Sequence, residues 1–218
     1  MTSFAREIHE SLEKHYGGGR CSLDFRNPFE LLVATILSAQ CTDVRVNKVT
    51  PALFARCPDP ATLAAMTQPD LEDLIRSTGF YRGKARSLLL AARMLVERFG
   101  CRVPDRMEDL LDLPGVARKT ANVVLGNAFG KAEGIAVDTH VARLSRRMGL
   151  SANADPVKIE RDLMALFPRK HWTALAHLLI SHGRAVCQAK RPQCAACFLA
   201  RKCPKIGVPS HSPRQGVK

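Results

Sequence analysis

The sequence predicts an all-α fold. Three observations carry that expectation. Apolar residues recur at helical spacing in segment after segment. No stretch sustains period-two alternation with β-branched enrichment, and Ile135-Ala136-Val137 is too short to make a sheet. Asn, Asp and Pro recur where helix starts use them. The 218 residues suffice for one large domain or two small ones, and an apolar content of 46% marks a folded chain.

The elements follow in order. Phe4 to Tyr16 is a short helix with Ile8 and Leu12 on one face, and Gly17-Gly18-Gly19 breaks it. Asn27-Pro28 opens a helix carrying Phe29, Leu32, Val33, Ile36 and Leu37, apolar almost all round and therefore central. Ser38 to Asp43 is a polar break, and a helix from Val44 to Phe54 follows, with Pro51 expected to kink or restart it. Short helices begin near Ala61 and Pro69. Arg82 to Phe99 has the clearest amphipathic stripe, ended by Gly100. Asp105 is expected to cap a helix ending at Leu113. Asp138 caps a helix with Val141, Leu144 and Met148; Asp155-Pro156 starts one ending near Pro168; His171 to Val186 is the last long helix.

Between Leu113 and Val124 the chain makes a helix–hairpin–helix. Pro114-Gly115 turns, and an apolar helix begins at once. Such a turn offers backbone N–H groups at a positive helix end to an anion, without reading base sequence. Lys119 breaks the apolar pattern there. Partial burial and the helix end both disfavour its ammonium form, which would leave an amine nucleophile able to form a Schiff base; the other reading is a phosphate-binding lysine. A faint repeat accompanies the hairpin: shifted by 36 positions, Glu72 to Ala85 overlays Glu108 to Ala121 with six identities. It suggests a second helix–turn–helix, with Phe80 and Tyr81 at its turn.

Charge points to the partner. Lys and Arg number 33 against 20 Asp and Glu, a net +13, which favours a polyanion and nucleic acid first. Met1 to Tyr16 lacks a signal-peptide core, and Leu31 to Leu37 is too short to span a bilayer, so a cytoplasmic location is expected. Eight cysteines are then not a disulfide framework. Four of them, Cys187, Cys194, Cys197 and Cys203, lie within seventeen residues and can close on one metal centre. Only one pair has the close spacing usual for zinc, so spacing leans towards an iron–sulfur cubane while zinc stays open. Cys21, Cys41, Cys57 and Cys101 are scattered. The surrounding loop is basic, with Lys190 and Arg191 among its cations, which suits phosphate. Asp138 is a structural cap, a carboxylate placed to face a developing cation, or both; His140 is a phosphate contact or a surface residue.

Together these motifs resemble the endonuclease III family of DNA glycosylases, within the helix–hairpin–helix glycosylase superfamily. The resemblance runs from about Asn27 to Cys203. Its anchors are Leu-Ser-Ala-Gln at 37–40, Leu-Pro-Gly-Val at 113–116, Arg-Lys-Thr-Ala-Asn-Val-Val-Leu at 118–125, Val-Asp-Thr-His at 137–140 and the four cysteines. It implies a [4Fe–4S] cluster and two helical domains with a DNA groove between them. One is a six-helix barrel at 22–132; the other is a helical iron–sulfur domain from 1–21 and 133–203. Residues 204–218 are left as a flexible basic tail. The implied partner is double-stranded DNA with a damaged pyrimidine or an abasic site, with no membrane association and a monomeric state.

The same resemblance implies that Lys119 attacks C1′ of a flipped-out nucleotide, that Asp138 activates it and steadies the positive sugar, and that β-elimination then cuts the strand. Gln40 would fill the vacated space and Phe80, followed by Tyr81, would wedge the opposite strand. Leu113, Gly115, Val116, Ala117, His140, Lys190 and Arg191 would contact DNA. Two positions depart from the pattern: Ala117 replaces the usual Gly, and Phe80 the usual Leu. An adenine-mismatch glycosylase of the same superfamily lacks the lysine and usually carries a further C-terminal domain. An oxidised-guanine glycosylase generally lacks the cluster. A non-catalytic, metal-stapled DNA-binding module is the alternative from another class.

Overall fold

A computed structural model describes residues 1–208. Among the described residues there are eleven α-helices, three short 3₁₀ turns and no strand. The chain divides into two compact units: Arg20–Ala136, and Met1–Gly19 together with the chain from Val137 onward.

The first unit is built around α2 (Pro28–Leu37), buried at every position from Phe29 to Leu37. Asn27 caps it by accepting the Glu30 N–H at 2.9 Å, and Pro28 supplies a start that needs no donor. The one carboxylate in the helix, Glu30, is buried and held by Arg26, whose Nη2 lies 2.5 Å away. α3 (Asp43–Arg56) is capped by Thr42 and runs through Pro51 without a restart. Two short helices, α4 (Pro60–Ala64) and α5 (Gln68–Ile75), begin at the Asp59 and Thr67 caps. α6 (Tyr81–Phe99) buries Lys84, Ala85, Leu88, Leu89, Ala91, Ala92 and Leu95, and ends where Gly100 takes a left-handed φ of 55°. α7 (Met107–Leu111) and α8 (Arg118–Ala128) complete the unit. α8 packs on α2, and α6 packs on α2, α4 and α5.

The repeat is real in three dimensions. α5 ends at Ile75 and α7 ends 36 positions later at Leu111. Gly79 and Gly115 stand in register with φ of 70° and 83°. One expected cap is not made. Asp105 is drawn instead to Lys131, 2.5 Å away on the segment after α8, so Arg106 opens α7 with no side-chain cap.

The second unit holds α1 (Ser3–Tyr16), α9 (Thr139–Arg147), α10 (Pro156–Leu166) and α11 (Trp172–Ala185), with α11 packed on α1 and α9. The segment from Pro204, expected to begin a mobile tail, is held at its start: the Ile206 N–H donates to the Arg147 carbonyl at 3.0 Å. The rest of that expected tail, 209–218, lies outside the described residues.

α1 carries a buried histidine with a consequence for stability. His9 lies edge-on to His171, ring centroids 4.2 Å apart, and its Nδ1 is 3.7 Å from Glu13. Burial, then the charge of His171, push its pKa below the ordinary value, against smaller pulls from Glu13 and Glu10. The unfolded chain therefore takes up this proton more readily than the folded one. Its contribution is intact above the ordinary imidazole range and lost as pH falls below it. Urea midpoints should drop from about pH 7 to about pH 5, and less steeply in His9→Phe than in the parent.

Candidate functional site

The hairpin is a tight turn with an open helix start. The Val116 N–H donates to the Leu113 carbonyl at 3.0 Å, closing a turn with Pro114 and Gly115 at its centre. Gly115 has φ of 83°, and an added Cβ would lie 2.9 Å from the Ser87 Cβ, so both conformation and space require glycine. Leu113 and Val116 are buried and anchor the turn, whereas Gly115 and Ala117 are exposed. The first helix stops earlier and the second starts later than the sequence predicts: α7 ends at Leu111, two residues before Leu113, and α8 begins at Arg118.

Ala117 is the N-cap of α8, with φ of −95°, ψ of 170° and no side chain to bond the first-turn N–H groups. That extended backbone suits any residue, which explains why alanine stands where the family usually has glycine. An uncapped helix start keeps its donors for an external anion. Ala117→Asp should thus raise stability by about 1 kcal/mol while weakening DNA binding, because its carboxylate takes the donors and repels phosphate. Melting and binding measured on the same variant check this; weaker stability with unchanged affinity would remove the hairpin as a phosphate site.

Lys119 is the second residue of α8. It is exposed and makes no hydrogen bond or ion pair among the described residues. The partial burial expected from sequence is not found. The apolar face of α8 is carried by Ala121 to Leu125, and Lys119 lies on the first turn, before that face begins. What remains from the expectation is its position beside the positive helix end.

Two other expected residues share an unusual backbone. Gln40 and Phe80 both have positive φ, 52° and 47°. Gln40 follows the end of α2 and is exposed; Phe80 opens α6 and is 72% exposed. A phenylalanine so exposed is burying nothing within the chain. Tyr81 is half-buried between two guanidinium groups, Arg76 and Arg82, whose centres lie 5.5 and 5.6 Å from its ring.

In the second unit Asp138 caps α9, its Oδ1 accepting the Val141 N–H at 2.8 Å. Oδ2 takes no hydrogen bond among the described residues, so one oxygen is fixed and one is open. His140 is half-buried rather than a free surface residue. Its Nδ1 lies 3.1 Å from the Arg143 Nη2, and a Cβ on Gly183 would come within 2.7 Å of it. Burial first, and Arg143 and Arg184 after it, lower its pKa against the opposing pull of Asp138.

Cys187, Cys194, Cys197 and Cys203 all line one pocket, together with Arg147 and His182. Among the described residues no three ligand-type side chains close on a point that would hold a single ion. Four thiols lining one pocket supply an all-sulfur donor set of the kind that iron–sulfur clusters and zinc both take. Burial pushes the Cys197 and Cys203 thiols up, and burial holds the neighbouring His182 imidazole down to about 4. The loop is fastened by residues the sequence reading passed over. Arg147 donates to the Gln188 and Ala189 carbonyls, both at 2.8 Å, and Arg143 to the Cys187 carbonyl at 3.1 Å. Their spacing, one turn apart on the helix that Asp138 caps, was the available signal. Lys190 and Arg191 are exposed, whereas Lys202 pairs with Glu7 at 3.0 Å.

Comparison with known proteins places this geometry. The model of the HhH-GPD superfamily of base excision DNA repair proteins matches residues 33–169, a span that holds both turns, Lys119 and Asp138. An endonuclease III from Synechocystis sp. is 58% identical over 200 residues, 92% of this chain and 91% of that protein. This chain belongs to the endonuclease III family. An endonuclease III from Bacillus subtilis is 45% identical over 184 residues, 84% of each chain. A solved structure of a trapped endonuclease III–DNA covalent intermediate, in an estranged-adenine complex, is 42% identical with a TM-score of 0.89, covering 94% of this chain and 97% of that one. The all-α expectation holds for this family member, and among its described residues no helix is long and apolar enough to cross a membrane.

Proposed function

We propose that this chain is a bifunctional DNA glycosylase and AP lyase of base excision repair, acting on oxidised pyrimidines in duplex DNA, with Lys119 as its nucleophile. One observation carries the reading: an exposed, unpaired lysine stands on the first turn of an uncapped helix, directly after a tight Pro-Gly turn. The turn and the helix start hold phosphate; the lysine reaches the sugar beside it.

The steps follow from the residues. The damaged base leaves the stack, because C1′ is unreachable inside the duplex. Gln40 enters the vacated space and Phe80 wedges the strands. The Lys119 amine attacks C1′, the C1′–N bond breaks, and the base leaves with the electron pair. The Asp138 carboxylate steadies the positive sugar and takes up the lysine proton. Ring opening gives an imine at C1′. Loss of a C2′ proton then expels the 3′ phosphate, and water hydrolyses the remaining unsaturated imine, freeing the Lys119 amine and leaving an unsaturated aldehyde on one strand end and a 5′ phosphate on the other.

Cys187, Cys194, Cys197 and Cys203 would hold a [4Fe–4S] cluster, whose part here is to fix the loop that presents Lys190 and Arg191 to phosphate. Purified protein should be brown and contain about four iron atoms per chain, with little zinc. The DNA substrate and the bacterial relatives support action in the cytoplasm, at the nucleoid.

A panel of duplexes, each with one defined lesion, tests the activity. Cut strands bearing an unsaturated 3′ aldehyde opposite either purine are expected. Release of adenine from a mismatch without strand cutting would replace this reading with the adenine-mismatch one.

A further inference from the structure

Lys84 is a buried ammonium that the chemistry above does not use. It lies one turn into α6 and is 6% exposed. Its Nζ donates to the Leu37 carbonyl and to the Thr78 carbonyl, each at 2.8 Å. Leu37 is the last residue of α2, and Thr78 closes the 3₁₀ turn after α5. Both carbonyls are therefore at the negative ends of helical segments, where an ammonium is well placed.

These two ends also lead into Gln40 and Phe80, two of the four exposed non-glycine residues with positive φ among the described residues. Gln40 comes three positions after Leu37, and Phe80 two positions after Thr78. A non-glycine residue with positive φ is strained and persists only where its surroundings hold it. One side chain ties together the anchors of both. Burying a charge there is costly: burial lowers the Lys84 pKa, and Cys41, on the Gln40 loop, pulls the other way. A methionine would fill the same space without that cost, so packing alone does not account for a lysine.

We propose that Lys84 is a positioning residue for base extrusion, a cross-tie that sets the Gln40 loop and the Phe80 turn against each other so that both enter the duplex together. This rests on the reading that Gln40 and Phe80 engage DNA. The tie itself is a property of the free protein and is testable without DNA.

The test uses the full chain carrying Lys84→Met, with Lys84→Gln as a second variant that keeps an N–H donor group without the charge. Amide hydrogen exchange in DNA-free protein should quicken by about tenfold at both 38–42 and 79–82, as expected for loss of hydrogen bonds to a charged donor, with the α8 core unchanged. Lys84→Gln should fall between the parent and Lys84→Met. With DNA, excision of a paired lesion should slow by about tenfold, and the defect should shrink when the lesion stands opposite a mismatched base, whose extrusion is cheap. A general folding defect would slow both substrates equally. Unchanged exchange at either segment, or equal slowing on both substrates, overturns the proposal. Phe80→Ala and Gln40→Ala run alongside: if these leave excision intact while exchange in Lys84→Met still quickens, the DNA-contact reading fails and the cross-tie stands.

Discussion

Lys119→Ala should lose lesion excision and strand cutting together, by on the order of 10⁴-fold or more, the scale seen when a covalent nucleophile is removed. In the proposed mechanism both activities pass through the same amine, so no variant at this position is expected to separate them. Affinity for undamaged duplex should change by no more than about threefold, because phosphate is held by the turn and helix start rather than by this side chain alone. Lys119→Arg should fail to rescue, since a guanidinium keeps its proton and cannot attack. The exposure of Lys119 sharpens the prediction. Removing an exposed, unpaired side chain from a helix start leaves no cavity and breaks no bond, so the melting temperature should hold. Lost activity in a protein of unchanged stability and unchanged binding then reports chemistry. Retained strand cutting in Lys119→Ala would hand the nucleophile's role to another group.

Asp138→Asn should slow base removal by on the order of 10²–10³-fold, the usual scale for one electrostatic contribution to a transition state. Asparagine caps a helix about as well as aspartate, so the bond to the Val141 N–H survives and stability should move by less than about 0.5 kcal/mol. Asp138→Ala loses the cap as well and should cost a further 1 kcal/mol or so of stability. The pair of variants separates the two roles of one carboxylate. Equal activity losses with unequal stabilities place the charge in the chemistry. Full activity in Asp138→Asn, with loss only in Asp138→Ala, would make the residue a cap and nothing more.

Much of this was legible in the sequence because local rules agreed with the fold. Asn27-Pro28, Asp138 and Asp155-Pro156 open helices where capping chemistry says they should. The apolar run after Asn27 is the buried centre of its unit. The faint repeat has matching helix ends and matching glycines. At Asp105 and in 204–208, where the reading failed, a long-range partner intervened. Asp105 was lost as a cap to Lys131, a residue 26 positions away whose approach no local pattern encodes. Lys119 was expected to be partly buried because its neighbours are apolar, yet it sits on the exposed first turn. Residues 204–208 looked like tail by composition, but the Arg147 carbonyl holds Ile206.

The residues missed altogether share a cause. Lys84, Arg143 and Arg147 are cations held mainly by backbone carbonyls, and carbonyls leave no trace in a residue pattern. Lys84 fell on the buried stripe of α6 and could have been questioned on that ground. The left-handed backbone at Gln40 and Phe80 was equally hidden, since neither residue type announces a positive φ. Ala117 was puzzling as a replacement for glycine until its extended backbone made the glycine unnecessary.

The central claim is that the Lys119 amine forms a covalent bond to the sugar. Borohydride reduction during turnover on abasic-site duplex tests it most directly, because an imine is reduced to a stable amine that joins protein to DNA. The parent chain should give one cross-linked species whose modified peptide contains Lys119, and Lys119→Ala should give none. An iron-loaded parent that cuts abasic DNA without cross-linking, or a cross-link that persists undiminished in Lys119→Ala, would contradict the account.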